Sequence, residues 1–272
     1  MMNSKLRRLT SVSSPRNAFD DLCSHCVALA ENFDPEYIKI NPNGTVPSLT
    51  HPSFPRPLVD TREILTYIDG SRSTGTALTP SDPKKKELVD KLIALVHSED
   101  VDTNLILLRA RDEDEFEAKK ASPWHDFVRN RQNELEKQKA ANPSHPFYGP
   151  KAVQNGVLSK LYDTPTGPEH EEFFKLTRDM YHKFATGMDR LESLILLPYA
   201  VGENLTLADL HIVPWFSHSL AGVGTTESED FDKLEKHIQK TVPDFKIGPK
   251  TKEWWLNMTK RPSFQKVYAT LH

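Results

Sequence analysis

The sequence has little cysteine and no long apolar run. Cys23 and Cys26 are its only cysteines, too few for a disulfide framework, so a reducing cytoplasmic compartment is expected. No apolar stretch approaches the ~20 residues of a membrane span. The first residues, MMNSKLRRLTSVSS, are basic without the apolar block of a secretory signal. These absences predict a cytoplasmic protein that does not enter a membrane.

The sequence also lacks a strong excess of charge of either sign. Its 35 basic and 38 acidic residues give a net charge of −3, which offers no basis for binding nucleic acid. The histidines are scattered, with no H-E-x-x-H or comparable spacing, so no metal site is predicted. No internal repeat is present.

A change of composition near Gly70 divides the chain. The segment DGSRSTGTALTPSDP, residues 69–83, is rich in Gly, Ser, Thr and Pro, as linkers are. Short β-type runs precede it and helical apolar spacing follows it. The predicted domains are therefore residues 1–72 and 83–272.

Apolar spacing predicts two long helices after the linker. The first carries Leu88, Leu92, Leu95 and Val96 at helical intervals, with Ser81 or Asp82 as cap and Pro83 at the first position. The second covers about residues 169–197. Its predicted inward side chains are Phe173, Leu176, Met180, Phe184, Met188, Leu191 and Ile195. The Pro-rich residues 142–168 between them are predicted to form an irregular surface excursion.

The stretch GENLTLADLHIVPWF, residues 202–216, carries the sharpest local signal. Thr206 as N-cap and Asp209 three residues later make a capping-box arrangement, and Leu205 with Leu210 supplies a hydrophobic staple. Asp209 can alternatively be a catalytic carboxylate. The local arrangement favours the structural role.

A second distinctive stretch is INPNGTVPSL, residues 40–49. Pro42 starts a turn, and Asn43-Gly44 is a pair that tolerates positive φ. Pro47 interrupts a strand-like run and cannot donate to a β-ladder, so it should lie at an edge or a bend.

Three motifs together resemble the cytosolic glutathione transferase superfamily: NPNGTVPSL, LVDTREILTYI (residues 58–68) and ENLTLADL, with RPSFQKVYATL near the C-terminus. The resemblance implies an α+β two-domain fold, in which a thioredoxin-like β/α domain over 1–72 precedes an all-helical domain over 83–272. It also implies a homodimer and a cis Val46-Pro47 bond. A trans proline at a strand edge is the alternative.

The resemblance implies that glutathione binds as co-substrate to residues Val46, Pro47, Asp60 and Thr61. After the cis proline bend, the Val46 backbone would pair with the cysteinyl part of glutathione like an added strand. Asp60 would pair with the γ-glutamyl ammonium, and the Thr61 hydroxyl and N–H would receive its carboxylate. The family usually has Glu or Gln followed by Ser here. Asp60 or Thr61 can alternatively cap the following helix.

The N-terminal region departs from the family pattern. Family members place a Tyr, Ser or Cys after an apolar first strand, where it stabilises the glutathione thiolate. No such strand is visible, and the remaining candidates are Ser4 and Ser14. Cys23 and Cys26 form C-S-H-C, superficially a redox motif. They lie too near Pro47 for the thioredoxin arrangement, so a structural role is favoured.

The resemblance implies an enzyme whose bound glutathione thiolate attacks an electrophilic small molecule. The outcome is conjugation or glutathione-assisted cis/trans isomerisation, with secondary metabolism as a setting by analogy. The alternative is a non-catalytic glutathione transferase-like protein that binds a ligand or partner. Possible residues of the electrophile site are Arg109, Trp124, His125, Tyr181 and Trp215.

Overall fold

The computed structural model describes Val27 and residues 29–52, 54–71 and 75–272. Over these residues the chain is mainly helical, and its β pairing is confined to isolated bridges. The α-helices are α1 (Pro35–Ile40), α2 (Thr61–Gly70), α3 (Pro83–Val96), α4 (Asn104–Leu108), α5 (Glu113–Lys120), α6 (Pro123–Ala141), α7 (Tyr148–Asp163), α8 (Pro168–Leu194), α9 (Leu207–Gly222), α10 (Asp232–Gln239), α11 (Pro249–Thr259) and α12 (Pro262–Val267). Two short 3₁₀ helices cover Glu31–Phe33 and Glu99–Val101.

The described residues fall into two compact units. The first unit comprises the residues up to Ile68 together with Glu117–Gly167, and the second comprises Asp69–Phe116 together with Pro168–His272. The units are defined by contacts within the fold. The sequence-based domains, 1–72 and 83–272, stay a prediction, as does the thioredoxin-like fold of the first of them.

Helix α7 corrects the sequence prediction for residues 142–168, which is wrong. Residues Tyr148–Asp163 are helical rather than irregular. Pro150 lies in the first turn of α7, where backbone N–H groups have no intrahelical acceptor, so this proline removes no hydrogen bond. The buried face of α7 includes Tyr148 and Ala152, which join a core cluster with Phe33, Ile38 and Leu135.

Helix α8 confirms the second long helix of the second unit, with one side chain placed wrongly. Phe173, Phe184, Met188, Leu191 and Ile195 are buried as predicted. Leu176 is 48% exposed, which contradicts its predicted inward position. The buried stripe instead runs through Phe174, Thr177 and Tyr181, so the inward face is rotated away from Leu176. A spacing of three or four residues fits either face, and only packing decides between them.

The predicted caps of α3 and α9 are both confirmed. The Asp82 side chain accepts a hydrogen bond from the Lys84 N–H at the start of α3. At the start of α9, Asp209 Oδ2 accepts from Thr206 N at 2.8 Å and from Thr206 Oγ1 at 3.0 Å, within a capping box. Its Oδ1 accepts from Ala200 N and Trp254 Nε1, both at 2.8 Å. Asp209 is fully buried, and these four donors account for its carboxylate.

None of the described helices combines the length and the apolar character needed to cross a membrane.

Candidate functional site

Side chains of the first unit hold the turn that precedes Val46. Asn41 is fully buried, and its Nδ2 donates to Thr45 O at 2.6 Å while its Oδ1 accepts from Asn43 N at 3.0 Å. Tyr37 Oη also donates to Thr45 O, at 2.5 Å, and Asn32 Nδ2 donates to Gly44 O at 2.6 Å. These side chains satisfy the carbonyls of the turn, so its shape does not depend on a β-sheet.

The Val46-Pro47 peptide bond is cis, which confirms that prediction. Val46 is half-buried. No described residue pairs with its backbone N–H or C=O. Backbone groups in folded proteins are nearly always paired with the protein or with solvent. The N–H and C=O of Val46 are therefore available to an extended ligand.

An antiparallel bridge links the segment after Pro47 to the segment before α2. Leu49 N donates to Leu58 O at 2.8 Å, and Leu58 N donates to Leu49 O at 2.9 Å. In antiparallel register, the residues before Leu49 and the residues after Leu58 leave the bridge at the same end. Val46 and Thr61, each three residues from the bridge, are therefore directed to one end of this pair.

Asp60 caps helix α2, as the structural alternative predicted. Its Oδ1 accepts hydrogen bonds from Arg62 N at 2.9 Å and from Glu63 N at 3.2 Å. The other oxygen, Oδ2, accepts from no described residue, and Asp60 is exposed. One oxygen of the carboxylate thus serves the helix while the second remains accessible. The cap alone does not use the whole side chain.

Arg56 and Glu63 form a pair that the sequence analysis missed. Arg56 Nη2 and Nη1 donate to the two oxygens of Glu63 at 2.7 and 3.1 Å, a forked geometry. The hydrogen bond from Arg56 lowers the pKa of Glu63. Both side chains are largely exposed, so the pair adds little stability. Its effect is to tie the loop before Leu58 to the first turn of α2.

The predicted thiol-activating residues Ser4 and Ser14 lie outside the described residues, as do Cys23 and Cys26. Their roles therefore stay predictions.

The possible residues of the electrophile site are held by individual contacts. In the second unit, Arg109 lies 5.2 Å from the centre of the Phe173 ring, and buried Tyr181 hydrogen-bonds His237 Nε2 at 2.6 Å. In the first unit, His125 Nε2 lies 2.9 Å from Asp163 Oδ1. These contacts are typical of packing.

Trp215 lies beside a cavity of the second unit. Its Nε1 donates to Val101 O at 2.8 Å. The cavity has a volume of about 290 Å³, and its lining also includes His97, Asp102 and Thr103. Trp215 is thus the one predicted residue of the electrophile site that lines this cavity. Among the described residues, no three His, Cys, Asp or Glu side chains are grouped to hold a metal ion.

Comparison with known proteins gives one family match. Residues 157–262 match the model of the glutathione S-transferase C-terminal domain. No curated protein matches the sequence significantly.

Solved structures of glutathione transferases are also similar to this chain. Glutathione transferase F7 from Populus trichocarpa has a TM-score of 0.48 at 17% identity, covering 88% of this chain and 81% of its own. Gtt2 from Saccharomyces cerevisiae has a TM-score of 0.46 at 17% identity, covering 97% and 93%. A delta-class glutathione transferase from Nilaparvata lugens has a TM-score of 0.38 at 21% identity, covering 85% and 82%.

The family match begins within α7 and ends at Pro262, the first residue of α12, and it includes the capping box that carried the resemblance in the sequence. Over residues 157–262 the chain is therefore similar to the C-terminal domain of glutathione S-transferases.

Proposed function

We propose that the protein binds glutathione through Val46, Pro47, Asp60 and Thr61 and uses its thiolate to attack an electrophilic small molecule. The observation that carries the proposal is the set of unused polar groups at one end of the Leu49–Leu58 bridge. These groups are the Val46 backbone, Asp60 Oδ2 and the Thr61 hydroxyl, none of which has a hydrogen-bond partner among the described residues. The family of the C-terminal domain supports glutathione as the ligand.

The chemistry of glutathione matches these groups one by one. Asp60 Oδ2 can accept from the γ-glutamyl ammonium, and such charge-assisted bonds are stronger than neutral ones. The Thr61 hydroxyl and N–H lie at the start of α2, where the helix dipole favours the γ-glutamyl carboxylate. The Val46 N–H and C=O can pair with the cysteinyl backbone as an added strand would.

Further parts of the proposal rest on the superfamily rather than on contacts. They are a thioredoxin-like domain over 1–72, a homodimer, a cytoplasmic location, and Ser14 or Ser4 as the hydroxyl that stabilises the thiolate. The product is a conjugate or, through a reversible adduct, an isomer, in secondary metabolism by analogy.

Calorimetric titration with glutathione tests the binding step through three variants. Asp60→Asn keeps a side chain that caps helices well but removes the negative charge. Asp60→Ala removes both the helix cap and the charge. We expect both to weaken glutathione binding by roughly tenfold or more. Asp82→Ala is the matched control, because Asp82 caps α3 in the same manner and should leave the affinity unchanged. Wild-type affinity in Asp60→Asn would overturn the assigned role of Asp60.

The pKa of the bound thiol then separates a transferase from a protein that only binds glutathione. Stabilisation of the thiolate must lower the thiol pKa below that of free glutathione. Thiolate absorbance followed against pH measures this value in the complex. An unchanged thiol pKa would favour the non-catalytic alternative, and no glutathione binding at all would favour a partner-binding protein.

A further inference from the structure

Arg131 on helix α6 is a partly buried cation enclosed by aromatic rings. Its Cζ lies 4.5 Å from the centre of the Phe33 ring and 5.3 Å from that of Phe127. Phe33 is fully buried, and Tyr148 Oη donates to its carbonyl at 3.0 Å, so the ring that supports the guanidinium is fixed. Ring faces stabilise the cation but do not accept its in-plane N–H groups.

No described residue forms an ion pair or a hydrogen bond with Arg131. The other three cations of α6 are all paired: Arg129 with Asp126, Lys137 with Glu134, and Lys139 with Glu136. Buried or half-buried charges are normally paired, because desolvation without a partner is unfavourable. Burial accordingly lowers the pKa of Arg131. Among the arginines and lysines of α6, Arg131 alone thus has no carboxylate partner among the described residues.

Lys151 on α7 adds a second positive charge near Arg131, because Gln132 Nε2, next to Arg131 in the chain, donates at 3.2 Å to the carbonyl of Ala152, next to Lys151. Burial lowers the pKa of Lys151, and the charge of Arg131 lowers it further. Lys151 Nζ donates to Gln154 Oε1 at 3.0 Å, a neutral acceptor. Two cations that repel each other therefore share one region, and among the described residues no carboxylate neutralises them.

Two carboxylates that act on nearby Tyr148, Glu134 and Asp34, have other partners. Glu134 accepts from Lys137 at 2.9 Å and from Gln138 at 2.7 Å. Asp34 caps α1 through the Glu36 N–H at 2.8 Å. The positive charge of the pair is therefore left for a ligand to neutralise.

We propose that Arg131 and Lys151 bind the oxyanion of a small molecule, a carboxylate or a phosphate. The planar guanidinium offers forked donors that fit either group, and the lysine ammonium contributes a point charge. Helices α6 and α7, which bear Arg131 and Lys151, are adjacent, because Asn155 Nδ2 on α7 donates to Gln132 Oε1 on α6 at 2.9 Å. The site does not depend on glutathione being the co-substrate.

Titration of the full chain with inorganic phosphate and with benzoate, at low ionic strength and with chloride as control, tests the site. Trp124 lies 5.8 Å from the Phe127 ring, and the other three tryptophans belong to the second unit. Fluorescence of Trp124, identified by its loss in Trp124→Phe, therefore reports on binding. We expect Arg131→Gln to weaken binding of either anion by about tenfold or more. Arg129→Gln is the same substitution at an arginine that is already paired with Asp126, so this variant should bind like the wild type.

Lys151→Gln removes the second charge without disturbing the ring contacts. It should also weaken anion binding, so it tests the proposal even if Arg131→Gln folds poorly. Absence of phosphate and benzoate binding to the wild type, or equal binding in wild type, Arg131→Gln and Lys151→Gln, would overturn the proposal. Competition by glutathione would identify the bound oxyanion as a glutathione carboxylate. Simultaneous binding of glutathione and benzoate would assign the site to a second, acidic ligand.

Discussion

Gly44 limits what the turn before Val46 can tolerate. Its φ of 61° lies in the left-handed region, and a Cβ added there would lie 2.6 Å from Phe147 Cζ. The Phe147 ring packs against the Phe33 ring, with centroids 5.9 Å apart, so it cannot retreat freely. Both the backbone conformation and the available space therefore require glycine at this position.

Gly44→Ala should lower the free energy of unfolding by about 1–3 kcal/mol, the usual range for overpacking a well-packed site. The two contributions, left-handed φ and contact with Phe147, act in the same direction. Urea denaturation followed by circular dichroism measures the difference.

Gly149→Ala provides the control in the same unit. Gly149 lies in the first turn of α7, and an added Cβ there has no atom within 4 Å. Alanine favours a helix over glycine by up to about 1 kcal/mol, so this variant should be as stable as the wild type or more stable. Equal stability of Gly44→Ala and the wild type would show that the turn adapts by another route.

The residues of the candidate site differ in how far the sequence could predict them. The Asp60 cap and the turn at Gly44 are local, so a few neighbouring residue types indicate them. Arg131 depends on Phe33 and Lys151, which lie in other helices. In the sequence, Arg131 is one of several basic residues on a charged helix, and nothing distinguishes it from Arg129. Only tertiary structure shows which of the two lacks a carboxylate.

At the scale of elements, the capping box of α9 is the clearest sequence signal, and four hydrogen bonds to the Asp209 carboxylate hold this helix start. Burial raises the pKa of Asp209, while the hydrogen bonds from Trp254, Ala200 and Thr206 oppose that rise. The carboxylate joins α9 to the loop before it and to α11. One side chain thus connects three parts of the second unit.

Asp209→Asn should destabilise the protein by about 1–3 kcal/mol or more, because an amide nitrogen replaces one of two acceptors and leaves a buried donor unpaired. Thermal unfolding of the purified variant measures the loss. Glu203→Gln, at an exposed position just before the motif, is the control and should unfold like the wild type. Unchanged stability of Asp209→Asn with loss of activity would instead support the catalytic alternative.

The failure of the sequence to predict α7 has a physical cause. Three prolines within residues 142–150 indicate irregular structure when each is weighed alone. Pro143 and Pro146 precede the helix and Pro150 lies in its first turn, so none breaks a helical hydrogen bond. The helix is stabilised by burial of Tyr148 and Ala152 against α6 and Phe33, contacts that a local pattern does not contain. The α9 start was predictable because its determinants lie within four residues.

At the scale of the molecule, stability against acid depends on a few buried ion pairs. Arg111 is buried, and its Nη2 donates to Glu115 Oε1 at 2.5 Å. Lys240 Nζ donates to the same oxygen at 3.0 Å. Burial alone would raise the pKa of Glu115, but the hydrogen bonds from Arg111 and Lys240 outweigh it and lower that pKa to about 2.

Glu235 acts in the same direction as Glu115, and Asp209 acts in the opposite one. Burial would raise the pKa of Glu235, but Lys246 and Lys252 lower it. A lowered pKa in the folded state gives stability that is present above the unfolded value and lost in acid. The raised pKa of Asp209 gives the reverse, stability that is present in acid and lost as the pH rises. The free energy of unfolding therefore depends on pH through contributions of opposite sign from these carboxylates. A single substitution is needed to isolate the contribution of one residue.

Comparing Glu115→Gln with the wild type isolates the contribution of Glu115 to the pH dependence of stability, because Asp209 and Glu235 are unchanged in the variant. The pKa of Glu115 falls from an ordinary value of 4.5 to about 2 in the fold, which corresponds to about 3 kcal/mol of stability at neutral pH. The wild type should exceed the variant by about this amount at pH 7. The difference should shrink as the pH falls from about 5 towards 2, where Glu115 becomes protonated in both states.

Urea denaturation at a series of pH values measures this difference. Glu117→Gln is the control, since Glu117 is exposed and pairs only at the surface with Lys120, and it should change stability little at any pH. A constant difference between wild type and Glu115→Gln from pH 7 to pH 2 would mean that glutamine disturbs packing around Arg111 rather than removing a charge. A difference that falls with pH assigns acid sensitivity to the contact among Arg111, Glu115 and Lys240.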